Sequence, residues 1–137
     1  MDPTEVLEKA YNLFLESDII ENESDIDKEL EGLLVEKDYN NMAKTLIYAL
    51  MYTVNNHLVY ENIKQTYIND AIDLLYMIDR IGFNNERIIK KFIKLLCQFY
   101  SYSLQNKINF IADKEKREFV KAELNELINI ILSLIHI

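Results

Sequence analysis

Two glycines, Gly32 and Gly82, and one proline, Pro3, are the whole supply of special backbone residues in 137 positions. Tight hairpins, bulges and phosphate-cradling loops all draw on glycine for close approach or positive φ. A chain this poor in it has little material for sandwiches, barrels or glycine-cradled nucleotide sites. Every long apolar pattern in it instead repeats near 3.6 residues. The expected fold is therefore all-α: a compact bundle of five to six helices in a single domain, with essentially no strand. At 16.3 kDa the chain suits one domain over residues 1–137, with an acidic N-terminal segment 1–38 and a helical core 40–137. A chain of this size buries about two-thirds of its unfolded surface, so a core is expected without disulfides or a metal.

Six segments carry the helical period. Asp2-Pro3-Thr4-Glu5 supplies a cap, a first-turn proline and a capping-box acid, and Val6, Leu7, Ala10, Tyr11 and Phe14 follow at helical spacing. A second helix is expected from Ser24, with Ile26, Leu30, Leu33 and Leu34 on one side and Gly32 as a weak point. Asn40 and Asn41 read as a break before a third helix, where Ala43, Leu46, Ile47, Leu50, Met51 and Val54 are joined by Tyr48, Ala49 and Tyr52 around the remaining circumference. That one is expected at the centre of the bundle. Asn55-Asn56-His57 reads as the next break, and Ile63, Tyr67, Ala71, Leu74, Leu75, Ile78 and Ile81 mark a fourth helix. At its end Gly82 is expected at the left-handed position of a Schellman motif, with Phe83 against Ile78, and Asn84 or Asn85 opens the fifth helix. The fifth turns Ile88, Ile89, Phe92, Ile93, Leu96, Phe99 and Tyr100 inward and Lys90, Lys91 and Lys94 outward. The sixth starts near Asp113 and runs through Phe119, Val120, Leu124, Leu127, Ile128 and Ile131. Residues 17–25 are the most loop-like stretch.

Charge is segregated along the chain. Residues 1–38 hold 13 acidic and 3 basic side chains, residues 39–83 hold 4 and 3, and residues 84–137 hold 6 and 9. The acidic end attracts cationic partners and repels phosphate. The basic groups, Lys90, Lys91 and Lys94 and then Lys107, Lys114, Lys116, Arg117 and Lys121, are interleaved by Glu86, Glu115 and Glu118. With a pI of about 4.8 the chain is not composed as a dedicated nucleic-acid binder. The simpler partner for the basic face is the acidic segment, of the same chain or of a second copy.

Chemical motifs are absent. Asp25, Asp27, Glu29, Glu31 and Glu36 fall in a calcium-loop frame, but Leu30 stands where the loop needs glycine, and the match reads as an acidic helix. His57 and His136, the two histidines, stand in no zinc-binding spacing. Asp70, Asp73 and Asp79 read as an exposed helix face, and no Glu-x-x-His pair supports a carboxylate-bridged centre. The single Cys97 lies in an apolar run, where burial raises a thiol's pKa and leaves it inert. No cofactor is expected and no enzymatic activity. A lone cysteine and the absence of a leader pattern favour a reducing, cytoplasmic location. The apolar run 128–137 is half the length of a bilayer span, so it is read as a buried helix end and no membrane partner is expected. The 19 Ile and 14 Asn against no Trp are the bias of an AT-rich genome, as in viruses, mobile elements and some microbes.

The expected function is a non-enzymatic protein–protein interaction module, a regulator or inhibitor that binds a protein partner and self-associates. The residues expected to make contact are Tyr48 and Tyr52, the basic side chains Lys90, Lys91, Lys94, Lys116 and Arg117, and the apolar Ile131, Leu134 and Ile135. Tyrosine suits interfaces and wet core edges alike. A homodimer is expected through the apolar C-terminal third, its acidic and basic ends paired about a two-fold axis. The alternative is a helical subunit that contacts nucleic acid through the Lys90/Lys91/Lys94 and Lys114/Lys116/Arg117 region.

Overall fold

The computed structural model describes residues 2–17, 23–105 and 114–135; within its helices the side chains of Glu23, Ser24, Ile131, Leu134 and Ile135 fall outside the described part. Six helices follow one another: α1 (Pro3–Glu16), α2 (Glu23–Val35), α3 (Tyr39–His57), α4 (Glu61–Ile81), α5 (Glu86–Leu104) and α6 (Lys114–Ile135). There is no strand among the described residues. The chain is an all-α bundle.

Local chemistry sets most of the helix ends. Asp2 accepts the Thr4 N–H at 3.0 Å with Pro3 in the first turn of α1, as its sequence dictates. Asn85 caps α5 by accepting from the N–H groups of Arg87 and Ile88. At α3 the sequence reading needs correction. Asp38 is the cap, accepting from the Asn41 backbone and side chain, so Asn40 and Asn41 lie inside the first turn and break nothing. The Asn55-Asn56-His57 run likewise continues α3, and the turn comes at Leu58, whose side chain is buried.

The expected Schellman motif exists, but at a different helix. Lys37, at φ 59, takes the left-handed position after α2, where its N–H donates to Leu34 O at 3.1 Å and the Asp38 N–H donates to Leu33 O at 2.9 Å. Gly82 has the expected positive φ of 102, but its ψ of 158 lies in a region open to glycine alone. Its N–H closes an ordinary helical bond to Ile78 O, and the Phe83 N–H donates to the Asn40 side chain instead of back into α4.

The helices are arranged as a triangle with filled sides. α1, α3 and α5 each touch the other two; α2 packs on α1 and α3, α4 on α3 and α5, and α6 on α5 and α1. Burial follows that plan. α3 buries Met42, Ala43, Leu46, Ile47, Leu50 and Val54, and α5 buries Ile88, Ile89, Phe92, Ile93, Leu95, Leu96, Phe99 and Tyr100. α1 adds Val6, Leu7, Ala10, Leu13 and Phe14 to the same core, whereas α2 fully buries only Leu30 among its described side chains. Each fully buried large apolar side chain contributes roughly 1.5–3 kcal/mol, so the inner triangle carries most of the stabilisation. Two buried polar links join helices: the Ser17 hydroxyl, at the end of α1, donates to Leu13 O and meets the Tyr100 hydroxyl of α5 at 3.1 Å, and the Tyr67 hydroxyl of α4 donates to Leu95 O of α5.

α6 departs from its expected burial. Val120, Leu124 and Leu127 enter the core, but Ile128 and Leu132 are exposed, because the side chains one turn apart on that face point away from α5 and α1. The described part of the apolar run is thus amphipathic and not buried throughout. Ile131, Leu134 and Ile135 lie outside the described side chains, as does most of the loop-like stretch 17–25.

Candidate functional site

α3 and α4 run antiparallel, with Lys44 near the start of one bonded to Asp79 near the end of the other at 2.6 Å. Between them opens a groove of about 350 Å³ lined by Tyr48, Met51, Ile72, Leu75, Tyr76 and Asp79. Its walls follow from helical spacing. Tyr48 and Tyr52 lie one turn apart on α3, Ile72 and Tyr76 one turn apart on α4, and these four stand on the faces that the core does not use. Tyr48, Tyr52 and Tyr76 are 56, 65 and 67% exposed. Their hydroxyls have no hydrogen-bond partner among the described residues, while the floor of Met51 and Leu75 is partly or wholly buried. The core-edge reading of Tyr48 and Tyr52 therefore gives way to a solvent-facing aromatic wall. Sequence reasoning missed Ile72 and Tyr76; the available signal was that both are apolar residues of α4 off its buried stripe.

A second cleft, about 200 Å³, separates α4 from α5. Asp70 and Asp73 line one wall, Lys91, Lys94 and Gln98 the other, over a floor of Leu74, Met77 and Leu95. No Lys–Asp pair across it comes within ion-pair distance among the described residues. Lys90 is half-buried on the neighbouring face of α5. Lys114, Lys116 and Arg117 sit in the first turn of α6 and line neither the cleft nor the tyrosine groove.

The acidic and basic segments meet within one chain through α1, which packs on α5 and α6, whereas the acidic α2 touches none of α4, α5 and α6. Lys9 of α1 forms a long-range ion pair with Glu126 of α6, and the Lys9 ammonium is held above its usual pKa by that bond. Asp25, Asp27, Glu29 and Glu31 lie on a regular helix, where their carboxylates radiate and cannot converge on a calcium ion. Asp27 turns inward instead. Its Oδ1 is buried with no partner among the described residues, and burial raises its pKa; Tyr11 on α1 is raised by its own burial first and then by the charges of Asp27 and Glu31.

No group of three metal-ligating side chains occurs among the described residues. His57 is exposed at the end of α3. Cys97 is half-buried on α5, and burial pushes its thiol up to about 11, so at neutral pH it stays protonated and a poor nucleophile. No helix among the described residues is long and apolar enough to cross a membrane. No protein-family model matches this chain, and neither a curated protein nor a solved structure resembles it at a significant level.

Proposed function

We propose that this chain is a non-enzymatic protein–protein interaction module, a regulator or inhibitor that docks a protein partner on its α3–α4 face in a reducing, cytoplasmic setting and also associates with itself. The observation that carries the reading is the tyrosine groove. A fold that seals Tyr67, Tyr100 and four phenylalanines almost completely leaves Tyr48, Ile72 and Tyr76 in water along one valley, with the exposed Tyr52 one turn from Tyr48 on α3. Tyrosines with rigid bodies and unpaired hydroxyls supply large contact area at small entropic cost, and they are enriched among the residues that dominate binding. Lys44 and Asp79 neutralise each other at the groove's end, so it suits an apolar helix face or extended segment better than a charged one. Against the nucleic-acid reading, Asp70 and Asp73 share a cleft with Lys91 and Lys94 and would repel a phosphate backbone there.

The test is partner capture from the native host with wild type and with a Tyr48→Ser/Tyr76→Ser variant. Loss of a specific protein partner, at least tenfold in affinity, with an unchanged melting temperature supports the reading. Equal capture by the variant overturns it, and so does a mobility shift of nucleic acid at moderate salt.

A further inference from the structure

Of the ten large apolar side chains that stand exposed among the described residues, seven belong to α3, α4 and the turn between them and two to α6, so the broadest uncovered apolar face described is that of the α3–α4 hairpin. Most of that face is also free of charge. No Asp, Glu, Lys or Arg occurs from Thr45 to Tyr60, and the exposed row of α4 beside the groove reads Gln65, Asn69, Ile72 and Tyr76 at helical spacing. In a chain with a formal net charge of −8, a charge-free face is where two copies can approach without setting acid against acid.

The two rows match level by level. The Lys44–Asp79 bond fixes the level at one end of the hairpin. With each helix rising about 1.5 Å per residue in opposite directions, Tyr48 comes level with Leu75 beside Tyr76, Tyr52 with Ala71 beside Ile72, and Asn55 with Ile68 beside Asn69. Each row thus runs from a charge through large apolar side chains to an amide. A two-fold axis along the valley keeps every level and exchanges the rows. It sets Lys44 against Asp79 of the second copy, Tyr48 against its Tyr76, Tyr52 against its Ile72 and Asn55 against its Asn69, each contact made twice, and α3 lies antiparallel to the α4 that it meets.

We propose that the α3–α4 faces of two copies of this chain pair about that axis, an inference that rests on the reading of this face as the docking surface. Tyr52, 65% exposed and outside the groove of its own chain, is covered by the α4 row of the second copy. At the fractions they expose, Tyr48, Tyr52 and Tyr76 supply roughly 300–450 Å² per copy, about half of the roughly 800 Å² that a standard interface buries on each side. The dimer therefore forms at micromolar concentration and is not obligate. A protein partner competes for the same face, which makes the dimer the closed form and the monomer the capturing one.

Sedimentation equilibrium from about 1 μM to about 1 mM tests this. The expected mass rises to the dimer and stops there, since a two-fold contact closes on itself. Tyr52→Ser/Ile72→Ser, with the helicity and low-concentration melting of wild type, should stay monomeric throughout. Lys44→Glu puts only acids at that end of the contact and Asp79→Lys only bases, so at about 50 mM salt each should weaken the dimer at least about tenfold, and an equimolar mixture of the two should recover it. The charge pair alone decides the matter should the double serine variant lose its helicity. A wild type that stays monomeric, a mass that climbs past the dimer, a folded Tyr52→Ser/Ile72→Ser variant that keeps the wild-type dimer or a mixture no tighter than its components would each overturn the proposal. A monomeric wild type that captures its partner through Tyr48 and Tyr76 overturns this contact alone; a dimer that behaves as expected, with capture indifferent to those two residues, overturns the docking reading alone.

Discussion

The side chain of Asn40, in the first turn of α3, accepts the backbone N–H of Phe83 at 2.7 Å, across 43 positions of sequence. This bond replaces the one that a Schellman motif would have made within α4. It also seats Phe83, which is 1% exposed and meets Phe92 edge to face with ring centroids 5.0 Å apart. Asn40→Ala leaves the Phe83 N–H without an acceptor in a partly buried turn and should cost about 1–2 kcal/mol. Asn40→Asp, which keeps the oxygen, should restore most of that loss. Urea unfolding of the three proteins checks the pair, and equal midpoints would count against the bond.

Substitutions at the two glycines and at the left-handed Lys37 should differ in sign. Gly82→Ala forces a side chain into a φ of 102 beside the Asn84 and Asn40 amides and should destabilise by at least about 1 kcal/mol. Gly32→Ala adds a Cβ into open space within a helix and should stabilise the monomer by up to about 1 kcal/mol. Lys37→Gly relieves a left-handed non-glycine residue and should stabilise by up to about 1 kcal/mol. Thermal melts at low protein concentration give all three signs.

Cys97 should alkylate slowly. With its thiol pushed up to about 11, roughly one in 10⁴ molecules carries the thiolate at pH 7, against about 3% for an unperturbed cysteine. Iodoacetamide labelling of the native protein should therefore run at least about 100-fold slower than in urea, and its rate should rise about tenfold per pH unit between pH 7 and 10. A labelling rate equal to that of the unfolded chain would show the thiol to be open.

Asp27 gives a pH signature. Its carboxyl is held above its unfolded value by burial, so its contribution is destabilising, fully present above the folded pKa and relieved as pH falls back through the unfolded value. Asp27→Asn should be more stable than wild type at pH 7, and the gap should close as pH falls to about 3. Denaturation at a series of pH values follows it, and a gap that is constant with pH would mean that the carboxylate is already satisfied.

The core was the legible part of the sequence. The inward stripe of α5 named from spacing alone is buried throughout, since a helix that faces four neighbours has little choice of register. Ends were less legible, because side chains can cap in competing ways: Asn40 and Asn41 looked like a break, yet the residue before Tyr39 did the capping and freed Asn40 to serve another helix. The Schellman motif went unseen at Lys37 because a lysine carries no signal for a left-handed backbone. Among contact residues, Tyr48 and Tyr52 were visible from their spacing, but Ile72 and Tyr76 join them only through the pairing of α3 with α4, a long-range relation that one helix's periodicity does not encode.

The triangle also sets the order of events during synthesis. Its third side closes only when α6 settles between α5 and α1, with Lys9 bound to Glu126 across that seam. A nascent chain that has delivered α1 through α5 still has an open valley between the first and fifth helices, with the apolar surface that Val120, Leu124 and Leu127 cover left in water. The first helix made thus waits for the last, and until α6 arrives that apolar surface is open to the misassembly to which incompletely packed chains are prone.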